Sequence, residues 1–251
     1  MDEAVYEADS SLKGKLRRRI VRLQARRPAR ARFERAMVSF SFDDAPLSAA
    51  TAGAAELERR GARGTYFIAG ELVGTEAATG AMAGREDLMR LAAAGHEIAC
   101  HTWSHLDCGQ ADGASVAADL DRNAAVLTDW GLPTPVTFAY PYGDVSLGAK
   151  RVVGPRFTFA RALHPGLVAP GADIAQAPAI NLDGQAGEAA GAHWIAEAVQ
   201  RRAWVVLFTH AVGETPSRFG MSAAALGRLI DLALALDAEI VTVAEGARRA
   251  A

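Results

Sequence analysis

Val38-Ser-Phe-Ser-Phe-Asp-Asp44 reads as a buried strand that ends in two adjacent carboxylates. Three more polar clusters follow apolar runs in the same way. His101-Thr-Trp-Ser-His105 follows His96-Glu-Ile-Ala-Cys100, Tyr140-Pro-Tyr-Gly143 follows Val136-Thr-Phe-Ala139, and Thr209-His210 follows Trp204-Val-Val-Leu-Phe208. In an alternating β/α chain, residues leaving the strands collect at one rim of the sheet or barrel, where such folds build active sites. Four polar clusters at one rim point to an enzyme.

Around these clusters, apolar runs alternate with helical patterns. Strands are expected over 38–42, 64–69, 97–100, 136–139, 157–160, 178–181, 203–208 and 239–243, and helices over 48–60, 85–94, 115–130, 188–202 and 221–236. Gly61, Gly95 and Gly131 fall just past three of these helices, as C-terminal caps do. The alternation implies an α/β fold of about seven or eight mainly parallel strands, closed into a barrel. Residues 143–187, rich in Gly, Pro and Ala, carry the weakest pattern. The chain of 251 residues fits one such domain.

Half of the residues are apolar and only 10 are Pro, which allows a large core and argues against wholesale disorder. No run approaches the roughly 18 apolar residues of a membrane span, and no secretory leader pattern is evident. Cys100 and Cys108 are too few for a disulfide framework. The expectation is a cytoplasmic, reduced protein. Net charge is −2, but residues 13–35 hold 11 of the 27 Lys and Arg with Glu34 as their only acid, and the chain from Met37 onward carries −8. Residues 1–36 therefore read as a basic extension to a domain over 37–251. Leu12, Leu16, Ile20 and Leu23 recur at helical spacing inside the basic run and make an apolar stripe between cationic flanks. Such a helix either lies peripherally on anionic lipid at the inner membrane face or packs on the outside of the domain. The run lacks the interleaved aromatics of a nucleic-acid binder.

His101 and His105, four residues apart, would share one face of a helical turn. Two imidazoles and a carboxylate are a common set for a catalytic divalent metal. Asp43 and Asp44 leave the strand in different directions, so one carboxylate can bind metal while its neighbour faces the reacting water. A helix N-cap before Ala45-Pro46 would use only one of them. His210, after the most apolar strand, is a candidate general acid beside such a site.

Together these motifs resemble the polysaccharide deacetylases of carbohydrate esterase family four, whose NodB-like domain is a distorted (β/α) barrel. Ser41-Phe-Asp-Asp44 is similar to the first motif of that family, His101-Thr-Trp-Ser-His105 to the second, Tyr140-Pro-Tyr-Gly143 to the third and Phe208-Thr-His210 to the last. The resemblance implies that Asp44, His101 and His105 hold one divalent metal ion, with Zn2+ favoured and Co2+, Ni2+ or Mn2+ able to serve. It also implies that Asp43 is the general base, that His210 protonates the leaving amine, and that the Tyr142 backbone N–H stabilises the oxyanion. Pro141, Trp103 and Phe208 would contact substrate. Two departures stand out. Ala139 occupies the position of the third motif's usual Arg, a charge that Arg161 could supply from nearby to orient the base. The fourth motif's Asp–Trp pair is not evident, Asp173 and Asp183 being poor stand-ins.

The expected activity is metal-dependent removal of an N-acyl group, N-acetyl above all, from an amino sugar of an oligo- or polysaccharide or of a lipid-linked exopolysaccharide precursor. The alternatives are hydrolysis of non-peptide C–N bonds in a small amide and an inactive carbohydrate-binding relative. A pure binder needs neither Asp43 nor His210.

Overall fold

The computed structural model describes residues 12–215 and 217–251. In chain order the main elements are α1 (Leu12–Leu23), β1 (Met37–Asp43), α2 (Ala54–Glu58), β2 (Thr65–Ile68), α3 (Arg85–Ala93), β3 (Glu97–Cys100), α4 (Gly113–Asp129) and β4 (Thr137–Ala139). These are followed by α5 (Leu147–Arg156), β5 (Phe159–Arg161), β6 (Ile180–Asn181), α6 (Gly187–Arg201), β7 (Trp204–Thr209), α7 (Ala223–Ala235), β8 (Glu239–Ile240) and α8 (Val243–Ala250). A π-helical turn, Ala49–Gly53, leads into α2.

The strands form one parallel sheet in the order β5-β4-β3-β2-β1-β7-β6, with β8 pairing the start of β1. One extended passage then joins the two edges. Ala177 bonds to Ala160 and Ala162 beside β5, and three residues later Ile180 pairs with Leu207 of β7. The result is the distorted (β/α) barrel that the alternation of the sequence implies.

Period-two alternation in β1 assigns its two faces. Val38, Phe40 and Phe42 point outward, where Leu57, Leu91, Ile195, Leu226 and Ile230 of the surrounding helices cover them. Each buried Phe contributes roughly 1.5–3 kcal/mol. Met37 points inward with Phe67, Ala99, Ala139, Phe159, Trp204, Val206 and Phe208, residues drawn from strand after strand. Ser39 and Ser41 share the inner face. Trp204 Nε1 donates to Ser39 Oγ at 2.9 Å, and Ser41 Oγ donates to the Leu207 carbonyl at 2.9 Å. Asp43, next in this alternation, arrives at the top of the barrel interior, buried. Cys100 and Cys108 are buried, free thiols.

The N-terminal segment is joined to the barrel. Lys150 of α5 is fully buried and donates to the Val21 carbonyl at 3.0 Å, to Asp173 at 2.6 Å and to Gln176 at 3.2 Å. The Arg27 guanidinium donates to carbonyls at the end of α5, including Phe157 at 2.7 Å. Ala29 N–H bonds to the Ala172 carbonyl and Arg30 N–H to that of Ala250. Of the sequence stripe, Ile20 and Leu23 are exposed; the side chains of Leu12 and Leu16 lie outside the described part. Among the described residues no helix is long and apolar enough to cross a membrane.

Candidate active site

The loops after β1, β3, β4 and β7 bring Asp43, Asp44, His101, His105, Tyr142 and His210 to one end of the barrel. The two histidines do not share a helical turn, as their spacing implied. Residues 101–105 form an irregular loop in which Thr102 and His105 adopt left-handed backbone conformations, φ 64° and 53°. Asp44, Ala45 and Tyr142 are left-handed too, at φ 62°, 53° and 57°. Five of the eight non-glycine residues with positive φ in the described chain thus lie in these loops. Each costs about 1–3 kcal/mol, a strain that packing tolerates and that clusters where side chains must be aimed.

The strained loops converge three ligand atoms. His101 Nδ1 lies 2.8 Å from the Ala139 carbonyl, an acceptor, so Nδ1 carries the proton and Nε2 keeps its lone pair. His101 Nε2 is 3.8 Å and His105 Nε2 3.5 Å from Asp44 Oδ1. One ligand atom from each residue falls within 4.8 Å of the other two. Asp44 Oδ1 is buried with no hydrogen-bond partner. Burial pushes the His101 pKa down to about 4, with His105 adding to the effect against the pull of Asp43 and Asp44. A neutral imidazole, an unsatisfied carboxylate oxygen and a second imidazole fit a divalent cation. The α4 side of the loop is also fixed: Asp119 accepts from Trp103 N–H at 2.6 Å, Ser104 N–H at 3.1 Å and Ser104 Oγ at 2.9 Å.

Asp43 belongs to a different pair. Arg161 Nη2 donates to both of its oxygens, at 2.5 and 2.6 Å. The guanidinium is fully buried, 4.5 Å from the Phe208 ring centroid and 5.2 Å from that of Phe67. Burial by itself would raise the Asp43 pKa, but the Arg161 charge, aided by His101 and His210, holds it below the usual carboxylate range. Arg161 is the register partner of Ala139 on the neighbouring strand. It thus stands on the same rung as the position where an Arg was missed in the sequence.

His210 is held by Asp183, which the sequence reading set aside as a poor stand-in for the fourth motif's Asp. Asp183 lies 2.8 Å from His210 Nδ1, and it accepts from Thr209 Oγ1 at 2.7 Å and from the His210 backbone N–H at 3.2 Å. Burial works against a charged His210. The hydrogen bond to Asp183 and the negative charges of Asp43, Asp183 and Asp44 outweigh it and raise the pKa to about 9. Asp183 follows β6 by two residues, a strand-end position at the same rim, and that placement was the available signal.

Residues 30–153 match the family model for polysaccharide deacetylase. Over this stretch, just under half of its length, the chain is similar to the polysaccharide deacetylase family. Chitin deacetylase 1 of Cryptococcus neoformans var. grubii is 30% identical over 105 residues, 42% of this chain and 21% of that protein. A chitin deacetylase of Pestalotiopsis sp is 27% identical over 116 residues, 46% of this chain and 37% of that one. The chain therefore spans well under half the length of these curated relatives. A solved structure from Mycobacterium smegmatis shares the fold with a TM-score of 0.69, at 19% identity, over 90% of this chain and 94% of its own.

Within this shared fold the remaining sequence candidates take clear places. Pro141 is buried and opens the turn Pro141–Gly143, and the Tyr142 ring meets His105 edge-on at 4.6 Å, 41% exposed. Trp103 packs beneath the Arg122 guanidinium at 4.2 Å, against Gly70. Phe208 is buried under Arg161, its ring 6.2 Å from that of His210. Asp173 is remote from these loops in function, bound instead to Lys150.

Proposed function

We propose that the chain is a metal-dependent hydrolase that removes an N-acyl group, N-acetyl above all, from an amino sugar in a poly- or oligosaccharide or a lipid-linked precursor. The match of residues 30–153 to the polysaccharide deacetylase family model supports the carbohydrate deacetylase class. The observation that carries the reading is the division of labour between adjacent carboxylates: Asp44 Oδ1 faces two imidazoles, while Asp43 is held ionised by Arg161.

In this reading Asp44, His101 and His105 would hold one divalent cation, for which zinc suits the donor set. Such a cation supplies Lewis acidity toward water and the acyl oxygen. Asp43, anionic and unable to rotate away from Arg161, accepts the proton of the attacking water. The Tyr142 backbone N–H is the candidate donor to the acyl oxygen as charge develops there. His210, protonated at neutral pH, gives its Nε2 proton to the departing amine nitrogen. Asp183 keeps the other ring nitrogen protonated and aimed. Arg161 and Asp183 act as positioning residues, one for the base and one for the acid.

The test pairs metal content with acetate release from N-acetylglucosamine oligomers, for the native chain and its Asp44→Ala and His101→Ala variants. About one equivalent of metal, lost in both variants together with acetate release, supports the reading. Metal uptake without turnover of acetylated or formylated sugars, but with turnover of small amides, would transfer the site to another substrate class. A folded chain that takes up no metal would end the proposal.

A further inference from the structure

Among its described residues, helix α1 meets the barrel through one side. Val21 is buried in the cluster formed by Val116, Leu120, Phe138 and Val153, and Gly14, two turns earlier on the same face, is buried as well. At about 100° per residue, the direction opposite Val21 belongs to Arg19 and Leu23, with Ile20 and Arg22 on either flank. Leu23 is 70% and Ile20 43% exposed. Arg19 and Arg22 are exposed, and neither has an acidic partner among the described residues. An amphipathic helix on a globular domain normally turns its apolar stripe inward. Here the described members of the stripe turn outward, flanked by exposed arginines.

The helix also adjoins the site. It packs on α5, whose second turn carries Lys150 and which begins at Leu147, four residues past the turn Pro141–Gly143 that holds Tyr142. Burial and, after it, the Arg22 charge disfavour the His164 imidazolium. The neighbouring Leu163, 40% exposed, fills the space beside Gly143.

We propose that the outer face of α1, formed by Arg19, Ile20, Arg22 and Leu23, docks peripherally on an anionic phospholipid bilayer. Exposed apolar side chains between arginines match a boundary where acyl chains meet negatively charged headgroups. Docking there would hold the barrel at a lipid surface, which suits a saccharide carried on a lipid. Membrane binding itself stands apart from the proposed reaction and is measured without substrate.

The experiment is co-sedimentation of the full chain with vesicles of phosphatidylcholine alone and of phosphatidylcholine mixed with phosphatidylglycerol. The native chain is expected to bind the anionic vesicles only, and less as salt rises. Ile20→Asp/Leu23→Asp and Arg19→Glu/Arg22→Glu variants are each expected to lose more than about tenfold in binding. All four positions are exposed, and unchanged circular dichroism and melting verify the fold. The proposal is overturned if the native chain ignores anionic vesicles, or if both double variants bind as it does. It is equally overturned if the chain binds duplex DNA but no vesicle, or if the variants alter only self-association in sedimentation velocity.

Discussion

Arg161 Nη2 spans both carboxylate oxygens of Asp43 from β5, one strand beyond β4, whose Ala139 is its register partner. The pair is buried, so neither charge is tolerable without the other. Removing the guanidinium in Arg161→Ala leaves burial as the dominant influence on Asp43, and its pKa moves up. The folded-state pKa of Asp43 is depressed, so its contribution to stability is present above the usual carboxylate range and vanishes as pH falls through the depressed value. Arg161→Ala is expected to cost about 3–5 kcal/mol of stability and on the order of a hundredfold in kcat, with metal stoichiometry intact. The acid limb of the pH–rate profile is expected to shift to higher pH. Arg161→Lys restores a point charge but not the geometry and falls between. An Arg161→Ala protein with native kcat and an unmoved acid limb would remove Arg161 from the mechanism.

His210 offers a second pH signature of opposite sign. Its pKa is raised to about 9, so the charged ring favours the folded state fully below the ordinary histidine value near 6.5. That contribution disappears as pH rises through about 9. In metal-free protein, an NMR titration is expected to find one imidazole still protonated at pH 8. Asp183→Asn removes the strongest supporting interaction and is expected to bring that titration down by a unit or more, on the order of 1.4 kcal/mol per unit. A His210 that titrates near 6.5 in native protein would contradict the assignment of Asp183 as its partner.

Metal affinity tests the loop after β3. Asp119 is not a ligand, yet it fixes Trp103 and Ser104 between the two histidines. Residues that orient ligands typically contribute about 10–100-fold to metal affinity. Calorimetric titration with Zn2+ is expected to show a loss of that size in Asp119→Ala and no binding in Asp44→Ala. Native affinity in Asp119→Ala would mean that the left-handed backbone at Thr102 and His105 holds the loop unaided.

What the sequence made legible follows from how local each signal is. The buried strands over 38–42, 97–100, 136–139 and 203–208 stand where their apolar runs placed them, because each run is contiguous and bounded by polar or glycine positions. Helix α5 was not legible. It contains Gly148, Gly154 and Pro155 and has no apolar stripe, and it starts because Ser146 caps the Ala149 N–H at 3.1 Å. The acidic pair and the two histidines could be read as motifs, since their members are neighbours in the chain. The loop that unites the histidines could not, because left-handed turns at Thr102 and His105 leave no periodic trace. Asp183 was set aside as a poor stand-in for a related reason. It meets His210 only because β6 pairs with β7 in the register Asn181 to Phe208, a fact of topology that no local window contains.

Lys150 links the N-terminal segment to the barrel, and its removal tests how far that segment belongs to the domain. Its ammonium is fully buried and bonded to Asp173, Gln176 and the Val21 carbonyl. Lys150→Ala leaves the mostly buried Asp173 carboxylate without its ammonium, held only by the Arg27 and Ala175 backbone N–H groups and the nearby Arg27 charge, at a cost of about 3–5 kcal/mol. For a domain of this size, that corresponds to a fall in Tm of roughly 6–20 °C. Lys150→Met combined with Asp173→Asn removes both charges and keeps most of the volume, so it is expected to recover most of the loss. Deleting residues 1–36 removes Val21 and Arg27 together and is expected to destabilise at least as much as Lys150→Ala. A truncated protein that melts with the full chain would show that the barrel folds without its N-terminal segment and that Lys150 holds only Asp173 and Gln176.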